Sequence, residues 1–127
     1  MVEKLVEIGI LYDFYGKLLS ERQYSAIELY YIHDLSLAEI GEELNITRQG
    51  VFDTLKRAEN KLYEYEDVLG LVNKFNSRHN NIQEILKINK EIHEISLISN
   101  NIQIQEKSRK VLELGNKILD NSREVVN

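Results

Sequence analysis

Two helix-start signals, Ser36 and Thr47, stand eleven residues apart, and this spacing constrains the fold more than any other feature of the chain. Ser36 precedes a helical apolar pattern and has Glu39 three residues later, a capping box that satisfies two free backbone donors at a helix start. Thr47 has the N-cap role one short helix later. Between the two helices, Asn45 tolerates the left-handed backbone conformation that a tight turn often needs. The segment 36–62 is therefore predicted to form two closely linked helices.

The apolar residues of this segment place its two helices against each other. Because so short a connection forces a steep crossing, Gly41 leaves room for the second helix to approach the first. Seven residues supply the contacts between the inner faces: Ile40, Leu44, Ile46, Val51, Leu55, Ala58 and Leu62. The last four recur at steps of four and three, which is the spacing of one helix face. This pattern predicts a helix-turn-helix.

The opposite face of the second helix is polar and charged. At about 100° per residue, four side chains lie opposite the apolar stripe: Gln49, Asp53, Lys56 and Asn60. Arg57 lies at the edge of this face, and Arg48 lies in the first turn. In a DNA-binding helix-turn-helix, this is the surface that enters the major groove.

Helical periodicity continues upstream of the motif. The first predicted helix, residues 2–19, carries apolar side chains at three- and four-residue steps: Leu5, Ile8, Tyr12, Tyr15 and Leu19. A second capping box, Ser20 with Gln23, opens the next helix. Gly9 and Gly16 lie seven residues apart in the first helix, which indicates either close helix packing or a dimer seam.

The pattern changes after Gly70, which is a plausible C-cap for the second helix of the motif. Residues 71–98 carry an isoleucine seam whose steps average close to a coiled-coil repeat: Ile82, Ile85, Ile88, Ile92, Ile95 and Ile98. Residues 99–101 are the expected turn. A last helix over residues 105–123 is expected to turn Val111, Leu114 and Ile118 inward.

The charge is divided unevenly between two parts, which we assign as a helix-turn-helix domain over residues 1–70 and a C-terminal helical extension over residues 71–127. The extension packs on the first part or forms an oligomer seam. The first part has seven Lys and Arg and fourteen Asp and Glu, a net charge of −7, whereas the extension has nine and seven, a net charge of +2. Because DNA affinity depends on cations that neutralise phosphates, the acidic first part must concentrate its basic residues on one surface. The carboxylates of the adjoining helix would weaken such a basic surface: Glu39, Glu42 and Glu43.

Composition supports an all-α fold and argues against several other classes. The 127 residues include 6 Gly and no Pro, which suits continuous helix better than a turn-rich β architecture. With no Cys, neither a disulfide nor a thiolate metal site can form, and two of the three His, His79 and His93, would be about 21 Å apart on one helix. No phosphate loop or nucleophile motif occurs, so we expect neither enzyme activity nor a cofactor. We also expect a cytoplasmic protein without membrane insertion, because no apolar run approaches about 20 residues.

Three sequence blocks closely resemble the YlxM family of small bacterial helix-turn-helix proteins: LYDFYGKLLSERQ, IELYYIHDLSLAEIGEE and ITRQGVFDTLKRAE. They are more distantly similar to the promoter-reading C-terminal region of sigma factors. The resemblance implies an all-α, sigma-factor-like helix-turn-helix domain with a DNA-binding role. The residues after Leu71 lie outside the resemblance, and their apolar pattern predicts a long C-terminal helix followed by a shorter last helix. The resemblance also implies a link to the signal recognition particle, because genes of the family commonly neighbour those of that targeting machinery. Thr47, Arg48 and Gln49 match the start of a sigma-like recognition helix, whereas Phe52 and Asp53 depart from it.

Three functions follow from the sequence. The first is a non-enzymatic, homodimeric regulator in the signal recognition particle pathway that binds duplex DNA. Its expected DNA contacts are Thr47, Arg48, Gln49, Asp53, Lys56 and Arg57. The second is an acidic module that contacts a protein or RNA component of the particle without sequence-specific DNA binding. The third is a helical assembly piece held by the C-terminal seam.

Overall fold

The computed structural model describes the backbone of residues 2–126 and the side chains of residues 3–121. Within that range the chain forms six α-helices and no strand, so the all-α prediction is confirmed. The helices are α1 (Val2–Tyr15), α2 (Glu21–Ile27), α3 (Leu37–Leu44), α4 (Arg48–Leu69), α5 (Leu71–Ile98) and α6 (Ile102–Val126). Contacts divide the chain into two compact units, one that ends at Val72 and one that begins at Asn73. Among the described residues, no helix has the length and apolar character needed to cross a membrane.

The predicted caps of the helix-turn-helix are confirmed. The Ser36 hydroxyl accepts a hydrogen bond from the Glu39 amide while the Glu39 carboxylate accepts one from the Ser36 amide, each at 3.1 Å. Asn45 ends α3 in the left-handed conformation with φ 62°, and the Thr47 hydroxyl accepts from the Gly50 amide at 2.9 Å. These short-range bonds fix where α3 ends and α4 begins. The Ser20 and Gln23 box of α2 is also present, and Gly70 ends α4 with φ 61°.

A single hydrophobic core holds the first unit together. Its buried members come from α1, α2, α3 and α4 and the turn after α1: Ile8, Leu11, Tyr15, Leu19, Ala26, Ile27, Ile40, Val51, Leu55, Ala58 and Leu62. Tyr65 of α4 lies with its ring centroid 6.0 Å from that of Tyr15, and its hydroxyl donates to the Leu18 carbonyl at 3.2 Å. The far end of α4 therefore packs on α1 and the following turn.

The first unit departs from the predicted pattern at two places. The first helix ends at Tyr15 and tightens into a 3₁₀ turn over Gly16–Leu18, and Leu5, expected in the core, is exposed. The helix after Ser20 finishes as a π turn over Glu28–Ile32. Periodicity did not predict either change, because both alter the number of residues per turn.

The two glycines of the first helical segment differ in their surroundings. A Cβ on Gly16 would lie 3.1 Å from the Tyr12 ring and 3.4 Å from the Tyr24 ring, which confirms close packing at this position. A Cβ on Gly9 would meet no atom within 4 Å. Close packing therefore explains Gly16 but not Gly9.

The second unit is an antiparallel hairpin of α5 and α6. The predicted turn is present, with Asn100 at φ 55°. The last helix begins at Ile102, three residues earlier than predicted, because the Asn101 side chain accepts a hydrogen bond from the Ile104 amide at 3.1 Å and so caps it.

Small and polar residues fill the space between α5 and α6. Asn89 donates to the Ser108 carbonyl at 2.9 Å, and the Ser108 hydroxyl donates to the Asn89 side-chain oxygen at 3.0 Å. Ser96 is fully buried, and Gly115 is buried against Leu86. The expectation that the apolar residues of the last helix turn inward is wrong for this hairpin, because these are exposed: Val111, Leu114 and Ile118. Most of the isoleucine seam of α5 is exposed as well.

Candidate nucleic-acid interface

The corner between α3 and α4 is held by backbone as well as by apolar contacts. The Ile46 amide donates to the Gly41 carbonyl at 3.0 Å, and a Cβ on Gly41 would lie only 2.8 Å from the Ile46 carbonyl oxygen. Ile40 of α3 and Val51 of α4 are both fully buried beside this corner. The turn before α4 therefore approaches α3 at Gly41 more closely than a side chain at that position permits without a shift of the backbone.

This corner presents the predicted contact residues together at the start of α4. Thr47 and the five predicted residues of α4 are all exposed: Arg48, Gln49, Asp53, Lys56 and Arg57. The Thr47 oxygen already accepts the capping hydrogen bond, but its hydroxyl hydrogen can still be donated. The buried residues Val51, Leu55 and Ala58 occupy the opposite side of the helix. The predicted contact residues thus share one exposed, polar and charged face of α4.

Two pairs of side chains organise this face. The Gln49 amide donates to the Asp53 carboxylate at 3.1 Å, one turn along the helix. The Lys56 ammonium lies 6.0 Å from the centroid of the Phe52 ring, and Phe52 is 48% exposed. Sequence reasoning noted Phe52 only as a departure from the sigma pattern. The signal that could have shown more is a large aromatic residue on an otherwise polar helix face.

An acidic surface adjoins this face. Glu39, Glu42 and Glu43 of α3 line one open depression together with Leu35. The pKa of Glu39 is lowered because its carboxylate accepts hydrogen bonds from Ser36. Glu39 therefore stays ionised at neutral pH, and it repels anions that approach α3.

A buried carboxylate anchors α4 from behind. Glu59 is 8% exposed, accepts a hydrogen bond from the Tyr31 hydroxyl, and forms an ion pair with Lys4 at 3.4 Å. Burial, reinforced by the hydrogen bond to Glu59, raises the pKa of Tyr31. These contacts join α1 and the π turn to α4. Helical periodicity does not reveal this network, because Tyr31 and Lys4 lie 28 and 55 positions from Glu59.

A second polar cluster joins the end of α4 to the start of α5. The Tyr15 hydroxyl donates to the Glu66 carboxylate and accepts from the Leu71 amide at 3.0 Å. Glu66 also accepts from the Val72 amide at 3.1 Å. Two of the first amides of α5 are thereby satisfied without an N-cap side chain.

Comparison with known proteins places the whole motif in one family. Residues 2–104 match the family described as "Putative helix-turn-helix protein, YlxM / p13 like". The chain belongs to the YlxM/p13-like family. This confirms the resemblance seen in the three sequence blocks.

Curated members of the YlxM/p13-like family extend the match over most of the chain. A UPF0122 protein of Desulforamulus reducens is 54% identical over 82 residues, which cover 65% of this chain and 70% of the relative. A UPF0122 protein of Bacillus thuringiensis is 39% identical over 118 residues, or 93% of this chain and 99% of the relative. No solved structure matches the chain.

The YlxM/p13-like family is described by its helix-turn-helix and not by a reaction. Among the described residues, no group of three or more His, Asp or Glu side chains is arranged to hold a metal ion. The first unit presents two exposed features that bear on function, the polar face of α4 and the acidic depression of α3.

Proposed function

We propose that this chain is a homodimeric, non-enzymatic regulator that binds duplex DNA through α4 and acts in the cytoplasm within the signal recognition particle pathway. The observation that carries the proposal is the exposed polar face of α4, presented by a closely packed helix-turn-helix corner. Membership in a helix-turn-helix family supports DNA binding. The link to the signal recognition particle rests on the YlxM resemblance.

Each exposed residue has a distinct proposed part in DNA binding. Arg48, Lys56 and Arg57 contact phosphates, which supply most of the affinity and set the position of α4 on the duplex. Gln49 reads a base edge, for which adenine is the best match because an amide can pair with both of its groove-facing nitrogens. Thr47 donates its hydroxyl hydrogen to a phosphate. Asp53 accepts from a cytosine amino group, or it disfavours sequences that lack one.

The acidity of the first part predicts weak, strongly salt-dependent binding. Residues 1–70 carry a net charge of −7, so only the local concentration of Arg48, Lys56 and Arg57 favours a polyanion. Each phosphate contact adds about one unit to the slope of log affinity against log salt concentration. We expect micromolar binding to genomic fragments at low salt and its loss near physiological salt.

The test compares two charge-matched double variants in a titration of labelled genomic fragments. Arg48→Ala with Arg57→Ala should weaken binding at low salt at least tenfold and reduce the salt slope by about two. Lys17→Ala with Arg22→Ala removes the same charge from exposed positions outside α3 and α4, and it should change affinity less than threefold. No shift by the wild-type protein at micromolar concentration, or equal losses in both variants, would refute DNA binding through α4.

The acidic depression of α3 favours a second candidate function, binding to a basic protein or ribonucleoprotein. Glu39, Glu42 and Glu43 offer adjacent carboxylates that attract a cationic partner. The proposed partner is a protein or RNA component of the signal recognition particle.

Binding of the purified particle to the immobilised chain tests this candidate, with and without nuclease. Glu42→Lys with Glu43→Lys should abolish the interaction, while Glu21→Lys with Glu64→Lys, exposed acids on other helices, should preserve it. No binding of the particle at micromolar concentration, or equal losses in the two double variants, would refute this candidate.

A further inference from the structure

The hairpin of α5 and α6 has two faces of different character. The least exposed positions of α5 recur at steps of four and three and identify the side that contacts α6: Ile82, Leu86, Asn89, His93 and Ser96. On α6 the corresponding positions include Gln105, Ser108 and Gly115. These residues define the side of each helix that contacts the other helix.

Four exposed isoleucines of α5 each precede one of these contact positions, whereas the exposed Leu97 and Ile98 at the end of the helix do not. The four isoleucines are Ile85, Ile88, Ile92 and Ile95. A shift of one residue turns a side chain by about 100°, so this stripe lies to one side of α5. On α6, Ile104 and Leu114 likewise each precede a contact position, and Val111 lies one turn before Leu114.

Both stripes lie on the same face of the hairpin. On each helix, viewed from its own first residue, the stripe is turned by the same angle and in the same sense from the side that contacts the other helix. Because the two helices run in opposite directions, these equal rotations bring both stripes to the same face of the pair. The residues that follow the contact positions define the other face. Two of them, Lys90 and Arg109, line a groove together with Leu86, His93 and Leu112. The isoleucine stripe and this groove therefore lie on opposite faces of the hairpin.

We propose that two copies of the chain pair through this apolar face and form a four-helix bundle with two-fold symmetry. The apolar face is defined here as Ile85, Ile88, Ile92, Ile95, Ile104, Val111 and Leu114. The proposal rests on the homodimer of the proposed function, to which it assigns a surface.

The size and composition of the apolar face fit a second copy. It is about 15–20 Å long and two helices wide, which is roughly 400 Å² and within the range at which exposed apolar patches mark binding surfaces. Two such faces together with their polar rims reach the total area of a small stable interface, about 1,200 Å². The space between α5 and α6 is filled mainly by small and polar residues, so the hairpin covers few of its own large apolar side chains. In a dimer with two-fold symmetry, the same surface of each copy contacts the other, so this apolar face would pack on the identical face of a second hairpin.

The test measures the molar mass of the full-length chain in the absence of DNA, between 1 and 200 μM, by sedimentation equilibrium. The wild-type protein should be a dimer. Ile88→Asp with Ile92→Asp should raise the dissociation constant at least 100-fold.

The control places the same two charges on the other face of the hairpin. Gln83→Asp with Leu97→Asp changes two exposed positions of α5 that each follow a contact position, and Leu97 is 51% exposed, close to the 48% and 45% of Ile88 and Ile92. It should change the dissociation constant less than threefold. A monomeric wild-type protein at 200 μM, or equal effects of the two double variants, would overturn the proposal.

A cross-linking measurement keeps the proposal testable if the charged variants unfold. The chain has no Cys, so a single introduced cysteine reports one position. Ile92→Cys should cross-link between copies with a short bis-maleimide, and Leu97→Cys should not; the reverse result would contradict the apolar face. Neither experiment contains DNA, so the two proposals fail separately. A dimer that gives no shift in the DNA titration refutes DNA binding and leaves the bundle intact, whereas a monomer that does shift DNA refutes the homodimer and its bundle and leaves DNA binding intact.

Discussion

Gln49 donates a hydrogen bond to Asp53 across one turn of the exposed face of α4, at 3.1 Å. This hydrogen bond holds Gln49, the residue proposed to read a base, next to the Asp53 carboxylate, which repels phosphates. In the proposed DNA complex, Gln49 exchanges this bond for one to a base. We therefore expect Asp53 to weaken binding to every sequence that offers it no amino group.

Removal of the Asp53 charge should strengthen binding to DNA. We expect Asp53→Asn to raise the affinity for mixed genomic fragments by about 3- to 10-fold at low salt, because a like charge near the phosphates is lost. Fluorescence anisotropy measures the change. Asp67→Asn removes the same charge from an exposed position at the far end of α4, and an equal gain from it would show that only net charge matters.

Two glycine substitutions should change stability in opposite directions. Gly41→Ala should lower the free energy of unfolding by about 1–2 kcal/mol, because the new Cβ lies 2.8 Å from the Ile46 carbonyl oxygen and the backbone must move. Gly9→Ala should raise it by about 0.5–1 kcal/mol, because the helix gains a better former in open space. Urea denaturation measures both. Stabilisation by Gly41→Ala would contradict the close corner between α3 and α4.

The tyrosine buried against Glu59 should make the fold sensitive to base. The pKa of Tyr31 in the folded protein is raised, mainly by burial and then by its hydrogen bond to Glu59, above the value of about 10 for an unfolded chain. The folded state therefore retains a proton that the unfolded state loses, so stability is complete below about pH 10 and falls as pH rises further.

Urea midpoints measured between pH 8 and pH 11.5 check this pH dependence. They should fall above pH 10, and Tyr31→Phe should make that fall smaller. Tyr30→Phe, which changes an exposed neighbour, should retain the wild-type fall. An identical pH profile for the two variants would exclude Tyr31 as the source.

The cluster around Tyr15 should protect the start of α5. Tyr15→Phe removes the hydroxyl that accepts from the Leu71 amide and donates to Glu66, at a cost of about 1–3 kcal/mol. Hydrogen exchange at Leu71 should accelerate more than tenfold. Tyr65→Phe removes a hydroxyl that donates to Leu18, so it should leave exchange at Leu71 within threefold of wild type.

The helix-turn-helix could be predicted because its signals are local. Ser36, Asn45 and Thr47 act on backbone groups within five positions of themselves, and the structure places all three as expected. The sequence prediction begins α6 at residue 105 and assigns all of the segment 99–101 to the turn. Asn101 is nevertheless an N-cap residue type, and the helix begins at Ile102. The family resemblance came from the same short blocks and is confirmed.

The parts that failed depend on neighbours far along the chain. Helical periodicity identifies the isoleucine stripe of α5 but not which surface covers it, and α6 packs instead against the side that carries Asn89 and Ser96. Glu59 follows Ala58 in a helix and gains its buried role only through Tyr31 and Lys4. The DNA contacts of α4 stay a prediction, since exposure alone does not show what a surface binds.

The polar pair inside the hairpin, Asn89 with Ser108, has a consequence for how the sequence can change over time. The amide and the hydroxyl satisfy each other only in one register of α5 against α6, since a slip by one turn would leave both buried without partners. Alignment of the hairpin is thus set by two polar residues, much as a buried Asn sets register in a coiled coil. The exposed isoleucines of α5 do not set this register, so exchanges among Ile, Leu and Val should be tolerated at their positions. Positions 89 and 108 should not tolerate apolar residues.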